Sequence, residues 1–117
     1  MIPIPSDIKL LQKTRKLEIL FDNGEKFSLP CEYLRVFSPS AEVKGHGLSE
    51  GKLVSGKENV NITSIEPVGH YAIRLIFDDK HQSGIYSWET LYDLSKHYVQ
   101  YWEHYLHRLK SEGMSRD

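Results

Sequence analysis

The sequence predicts an α+β fold, a two-layer arrangement in which a mainly antiparallel sheet carries helices on one face. Three observations support this prediction. Short alternating runs with a hairpin turn open the chain, two further strand-like runs follow a glycine-rich segment, and the last third has helical periodicity. At 117 residues the chain fits a single domain spanning 1–117.

The opening strands form a predicted β-hairpin. Leu17, Ile19 and Phe21 alternate with residues of the opposite face, and the Asn23-Gly24 pair that follows tolerates the positive φ of a tight turn. The stretch IKLLQKTRKLEILFDNGEKFSLP therefore contains two or three short strands.

A short helix near residues 31–37 is predicted next. Pro30 suits a first helical position, CEYLRVF has the propensity for two turns, and Pro39 prevents continuation. Residues 44–59 hold four glycines and many charges, which indicates a surface loop.

Two strands are predicted around residues 60–66 and 70–77, in one sheet with the strand near 16–21, and GIYS gives a further short strand. Alternation in the second strand assigns Tyr71, Ile73, Leu75 and Phe77 to one face.

Helical character begins after Ser87, a candidate N-cap, and gives a helical C-terminal segment 88–110. We expect a domain core of about 8–95 and a helical extension over 96–112. The favoured role of the aromatic residues in this segment is to cover the domain's own sheet, and weak homo-oligomerisation through the aromatic helix is a further hypothesis. At about 100° per residue, one stripe of this helix contains Leu91, Leu94, Tyr98, Trp102, Tyr105 and Leu109.

Composition limits the classes of partner. There are 15 Lys and Arg against 16 Asp and Glu, so the net charge of -1 favours neither nucleic acid nor a membrane surface. The single cysteine, Cys31, excludes an internal disulfide and suits a reducing compartment. With no signal-peptide pattern and no long apolar run, a cytoplasmic protein is expected. The terminal stretches 1–6 and SEGMSRD are expected to fray.

Catalytic patterns are weak, so a non-enzyme without a cofactor is favoured, although the sequence leaves the question of enzyme activity open. Asp78 and Asp79 are adjacent and suit a turn better than an acid–base pair. Cys31 lies next to Glu32, but no residue pattern supplies a base, and a buried residue at a helix start is the favoured role. No histidine is followed two residues later by an acid, as an iron(II) facial triad usually requires.

Three histidines lie in the C-terminal helix, but they are a poor metal site. His97 and His104 stand two turns apart, roughly 10 Å by helix rise, and only His104 and His107 could pair. Structural zinc takes four protein ligands, so surface positions are favoured for all three.

Two stretches carry a family resemblance: EPVGHYAIRLIFDDKHQSGIYSWETL and LPCEYLRVFSPSAEVKGHG. Together they resemble the gamma-butyrobetaine hydroxylase-like N-terminal domain family, a domain of unknown function, over about residues 8–95, and most of all its short stand-alone bacterial members. In carnitine-pathway dioxygenases this domain precedes the catalytic domain, and related domains are fused to Mrp-type ATPases that assemble or carry iron-sulfur clusters. The resemblance implies a module used beside metal chemistry.

The family's zinc site, held by three cysteines and one histidine, is degenerate in this sequence. The resemblance puts the four ligand positions at Ser38, Ser40, Val43 and His81, so three ligands are missing and no metal is expected there. The family commonly has glycine at the position of Lys80, which predicts strain if that position needs positive φ. His81 is then available to tie its turn to the Ser-Pro-Ser corner by hydrogen bonds.

Two hypotheses of function follow. The favoured one is a non-catalytic interaction or accessory module with a protein partner, linked to iron-sulfur cluster or metalloprotein assembly. The alternative is a small metal- or ligand-binding protein or enzyme with a remodelled site around His46, His81, Asp78 and Asp79.

An interaction corner of exposed polar groups is predicted from Arg35, Ser38, Ser40, His81 and Tyr86, beside the glycine-rich loop. An arginine there suits a binding hot spot, while an internal salt bridge or a helix cap is an equally weighted role for Arg35.

Overall fold

The chain forms an α+β fold, which confirms the predicted class. The computed structural model describes residues 2–39 and 53–117. Within these ranges six strands and three helices follow one another: β1 (Pro5–Leu11), β2 (Lys16–Phe21), β3 (Lys26–Pro30), α1 (Cys31–Val36), β4 (Ile62–Val68), β5 (Ala72–Phe77), β6 (Ile85–Ser87), α2 (Trp88–Lys96) and α3 (Tyr98–Ser111).

The strands divide into two antiparallel three-stranded sheets, in the orders β1-β2-β3 and β4-β5-β6. The prediction that strands near 16–21, 60–66 and 71–77 share one sheet was therefore wrong. Each sheet is built from sequential antiparallel neighbours, and α1 follows directly on β3, so the chain leaves the first sheet before the second begins. Both sheets bury one face in a common core.

The first hairpin forms as predicted. Leu17, Ile19 and Phe21 are buried on the core face of β2, and Gly24 has φ +88° in the turn to β3. The Asn23 side chain accepts a hydrogen bond from the Glu25 N–H at 3.0 Å, which stabilises the turn.

Tyr71 does not share the buried face of the residues with which strand alternation grouped it, so that part of the prediction was wrong. Ile73, Leu75 and Phe77 are buried in β5, but Tyr71 is 61% exposed. The cause is the turn before β5: Gly69 has φ +55° and the strand begins only at Ala72, so strand alternation does not reach Tyr71.

The short helix α1 is packed on nearly every side. Tyr33 is fully buried, and its hydroxyl donates to the Leu94 carbonyl in α2 at 2.7 Å. Its ring also makes edge contacts with Phe37, Tyr98 and Trp102. Isolated helices of this length are unstable in water, so these contacts hold α1 in place.

The C-terminal segment is two helices rather than one. Ser87 caps α2 as predicted, accepting a hydrogen bond from the Thr90 N–H at 3.1 Å, and the chain bends at His97 before α3 begins. Of the aromatic residues, Tyr101 and Tyr105 are buried, and Tyr105 clusters with Val36 of α1. The extension thus covers α1 as well as the core. In the part of the chain that the structure describes, no helix is long and apolar enough to span a membrane.

The C-terminal tail is held in place, contrary to the expectation that it frays. The Gly56 N–H donates to the Ser115 carbonyl and the Glu58 N–H to the Arg116 carbonyl. The Arg116 guanidinium binds the buried Glu32 of α1 with two hydrogen bonds, of 2.9 and 2.7 Å. The tail therefore supplies the partner of a carboxylate that would otherwise be buried alone.

Truncation of the buried leucines of α2 tests the packing. Leu91→Ala or Leu94→Ala should lower the free energy of unfolding by about 2–5 kcal/mol, because both side chains are fully buried. Urea denaturation measures the change. Leu106→Ala is the matched control, since Leu106 is 37% exposed and should cost clearly less. Equal effects at the two kinds of position would place α2 elsewhere.

Loss of Arg116 tests the anchoring of the tail. Arg116→Ala should lower the free energy of unfolding by about 1–3 kcal/mol, because it leaves the Glu32 carboxylate buried without its partner. Adding Glu32→Gln should recover part of that loss, and Lys110→Ala, an exposed position of α3, should change little. If the double variant is no more stable than Arg116→Ala, the ion pair does not hold the tail.

Candidate functional site

The predicted interaction corner lies where the end of α1 meets the turn between β5 and β6. Arg35 is in the last turn of α1, Ser38 follows the helix, and Asp79 and His81 lie in the turn after β5. Tyr86 reaches the corner from β6. The structure thus brings together four of the five predicted residues; the fifth, Ser40, lies outside the described residues.

Asp79 is the ionic centre of the corner. Its Oδ2 accepts from Arg35 Nε at 2.8 Å and lies 2.7 Å from Lys57 Nζ, and its Oδ1 accepts from the His81 N–H at 3.1 Å. Burial opposes ionisation, but the hydrogen bonds from Lys57, from the His81 backbone and from Arg35 outweigh it and lower the pKa of Asp79 to about 2. Arg35 has the internal salt bridge that was weighed against a binding role.

Ser38 and His81 form a hydrogen-bonded pair, with 2.8 Å between Ser38 Oγ and His81 Nε2. This bond ties the turn to the end of α1, as the sequence predicts for His81. Gly84 makes the approach possible, because a Cβ at that position would overlap Ser38 Oγ. A serine next to a histidine is also the arrangement of a nucleophile and its base, which the sequence did not reveal because the two residues are 43 positions apart.

Burial argues against a nucleophilic role for this serine. Ser38 is only 1% exposed, and Tyr86, which donates its hydroxyl hydrogen to the Leu34 carbonyl, is fully buried. Burial raises the pKa of the Tyr86 hydroxyl, so it remains a neutral donor. The expected exposure of this corner is therefore wrong for Ser38 and Tyr86, and a substrate could not reach Ser38 Oγ without movement of the fold.

Lys80 has the left-handed conformation that the sequence comparison with the family suggested, with φ +72°. A lysine in that conformation costs about 1 kcal/mol or more relative to glycine. The turn keeps the conformation because the Lys80 N–H bonds to the Phe77 carbonyl at 3.2 Å and the neighbouring His81 N–H bonds to Asp79.

The alternative ligand site is only partly within the described residues. Asp78 Oδ1 accepts from the Asn61 N–H at 3.1 Å. Asp79 is bound by the cationic side chains of Arg35 and Lys57, which occupy the Oδ2 atom that a metal ion would compete for. His46 and Val43 lie outside the described residues. Across residues 2–39 and 53–117, no three His, Cys, Asp or Glu side chains come together as a metal-binding group.

Cys31 is the first residue of α1 and is fully buried. Burial raises the pKa of its thiol to about 11, and its Sγ lies 3.7 Å from Asn61 Oδ1. The thiol therefore stays protonated, as expected for a structural position.

Acid unfolding tests the ionic centre. The pKa of Asp79 is lower in the folded chain than its ordinary value of 3.8, so its contribution is present above about pH 4 and is lost as the pH falls to about 2. Between these values the unfolding free energy should fall by about 1 kcal/mol more in the natural protein than in Asp79→Asn, allowing for solvent screening. The Glu25 carboxylate, whose pKa is also lowered to about 2, first by a hydrogen bond from Tyr92, is common to both proteins. Identical pH profiles would contradict the role assigned to Asp79.

The fold and this corner define a small α+β domain in which a salt bridge and a hydrogen bond within the chain join a short helix to the turn between two strands. The chain belongs to the gamma-butyrobetaine hydroxylase-like, N-terminal family, whose sequence pattern matches residues 8–92. Among curated proteins none matches significantly.

Solved structures support the family assignment. Two proteins with NMR solution structures are similar over nearly the whole chain: one is 54% identical, with a TM-score of 0.85 and coverage of 97% of this chain and 85% of the other. The second is 44% identical, with a TM-score of 0.86 and coverage of 100% and 92%. A crystal structure of a protein of unknown function from Acidithiobacillus ferrooxidans, of the DUF971 family, is 37% identical, with a TM-score of 0.66 and coverage of 78% and 91%.

Proposed function

We propose that this domain is a non-catalytic interaction module that binds a protein partner, as an accessory of iron-sulfur cluster or related metalloprotein assembly. One observation supports a non-catalytic role: the polar groups of the corner bond to other groups of the same chain. Arg35, Asp79, Ser38 and His81 each bond to another segment of the same chain, and Ser38 is shielded from solvent. Groups used in this way hold a surface in shape rather than transform a substrate.

The link to metalloprotein assembly rests on the family resemblance, in which related domains accompany enzymes that handle iron-sulfur clusters. The crystal structure that this chain resembles is of a family member of unknown function, so the resemblance suggests the class of partner and capture from the cell identifies the partner itself.

Affinity capture from the native cell, with the tagged protein at its natural level and quantitative mass spectrometry, tests the proposal. We expect one or a few proteins to be enriched saturably, among them a metalloprotein or an assembly factor. Untagged protein added as a competitor is the control. Metal analysis of the purified protein is the counter-test, because stoichiometric metal that survives a chelator would favour the metal-binding alternative.

Substitutions in the interaction corner test whether its residues stabilise the fold or bind a partner. Arg35→Ala and His81→Ala should each lower the melting temperature by several degrees, because each removes a bond between α1 and the turn after β5, and about 1 kcal/mol corresponds to about 4–8 °C in small domains. Calorimetry measures the shift. If instead the melting temperature is unchanged while affinity for a captured partner falls by more than about 1 kcal/mol, the corner is the docking site.

A further inference from the structure

A groove at the start of β5, at the opposite end of this strand from the interaction corner, is lined by aromatic, apolar and acidic side chains. Its smaller part has a volume of about 300 Å³ and lies between the N-terminal segment, the turn between β4 and β5, and the first turn of α2. It continues into a part of about 480 Å³ along α2, and Ile2 and Glu89 line both parts. The side chains that matter here are Ile2, Ile4, Tyr71, Trp88 and Glu89.

The Trp88 ring is held by a hydrogen bond before any partner binds, and the Tyr71 ring packs on Gly69. The Trp88 indole N–H donates to the His70 carbonyl at 2.8 Å, and its backbone N–H donates to the Tyr71 carbonyl at 3.0 Å. The Tyr71 ring lies across Gly69, where an added Cβ would come within 2.9 Å of its Cε1. Tyr71 is 61% exposed, so a partner can contact its ring as well as the anchored Trp88 ring.

Glu89 supplies an unused negative charge. It is exposed in the first turn of α2, and within the described residues no ion pair or hydrogen bond involves its carboxylate. Of the other charged or titratable groups that line the groove, Lys96 binds Glu25 at 2.9 Å. Asp93 accepts from the Tyr101 hydroxyl at 2.9 Å and lies 3.1 Å from His97 Nδ1. The charge left for a partner is therefore negative.

The apolar wall of the groove is also exposed and held in place. Ile2 and Ile4 are 45% and 48% exposed. Asp22 fixes the segment that carries them, since its Oδ1 accepts from the Ile4 N–H at 3.2 Å and its own N–H donates to the Ile4 carbonyl at 2.8 Å. Exposed apolar groups beside a polar rim are typical of an interaction surface.

We propose that this groove binds a segment of a partner protein in which a lysine or arginine lies against Trp88 and Tyr71 and pairs with Glu89. Cations are attracted to the faces of Trp and Tyr rings, and a nearby carboxylate adds direct charge complementarity. Apolar residues next to the basic residue cover Ile2 and Ile4. The inference rests on the proposed interaction function and names the chemistry of the partner.

The experiment uses a displayed library of random 12-residue peptides selected on the whole protein, followed by synthesis of the enriched peptides and calorimetric titration. We expect the enriched sequences to contain a lysine or arginine flanked by apolar residues. Their binding should weaken at least tenfold in Glu89→Gln and in Tyr71→Ser. Glu103→Gln, at an exposed position of α3, is the matched control and should bind as the natural protein does.

A charge exchange sharpens the test. Glu89→Lys should lose the basic peptides and regain binding when the basic residue of the peptide is replaced by glutamate. Circular dichroism confirms that the variants are folded. Enriched peptides without a basic residue, the absence of any enriched peptide, equal binding by Glu89→Gln, or self-association through the groove would each overturn the proposal.

Failure of the groove proposal can be distinguished from failure of the proposed interaction function. A cellular partner captured equally by the natural protein and by Glu89→Gln would leave the interaction module in place and remove the groove as its docking site. Absence of any captured partner would instead contradict the interaction module itself.

Discussion

The position of α1 is the constraint on which the rest of the structure depends. The two sheets share no strand pairing within the described residues. Apolar packing brings them together, hydrogen bonds of Gln12 with Asn61 and Ile62 join the first hairpin to β4, and the six-residue helix adds further contacts between the two halves. Successive residues of α1 point to different neighbours: Glu32 to the C-terminal tail, Tyr33 to α2 and Arg35 to the turn after β5. A helix of this length has little stability of its own, so the helix and its neighbours stabilise each other. Loss of one contact is therefore expected to affect the whole domain.

The same constraint explains why groups with catalytic potential are structural here. A serine close to a histidine, or an aspartate with a depressed pKa, is compatible with catalysis only if a substrate can reach it. Ser38 is shielded by the contact with Gly84, and Asp79 is occupied by two cations. The lowered pKa of Asp79 therefore reflects its salt bridges with Arg35 and Lys57. In this corner the hydrogen bonds and salt bridges that hold α1 in place involve the same polar atoms that a catalytic reaction would need.

How much of the structure the sequence could predict depends on how far apart along the chain the interacting residues are. Alternation placed Leu17, Ile19 and Phe21 in the core, and Ser87 was recognised as a helix cap, because these features depend on residues within a few positions. Alternation shows which face a residue occupies but not which sheet its strand joins, so the second sheet was missed. The pairs Ser38–His81 and Glu32–Arg116 join residues 43 and 84 positions apart, and no local pattern encodes them. For Ser38 and His81, the family resemblance supplied the only signal that the two positions are neighbours.

The corner and the groove are separated by the length of β5, with one strand turn at each end. Six residues at about 3.3 Å each place the two regions roughly 17–20 Å apart, beyond the distance of about 7–10 Å at which substitutions usually influence each other. The strand between them is buried and paired on both sides, so it holds the groove aromatics and the fastened corner in one rigid frame. A domain built in this way can change the side chains of its groove without loosening α1. If the groove binds a partner as proposed, its specificity can then vary while the fold stays the same.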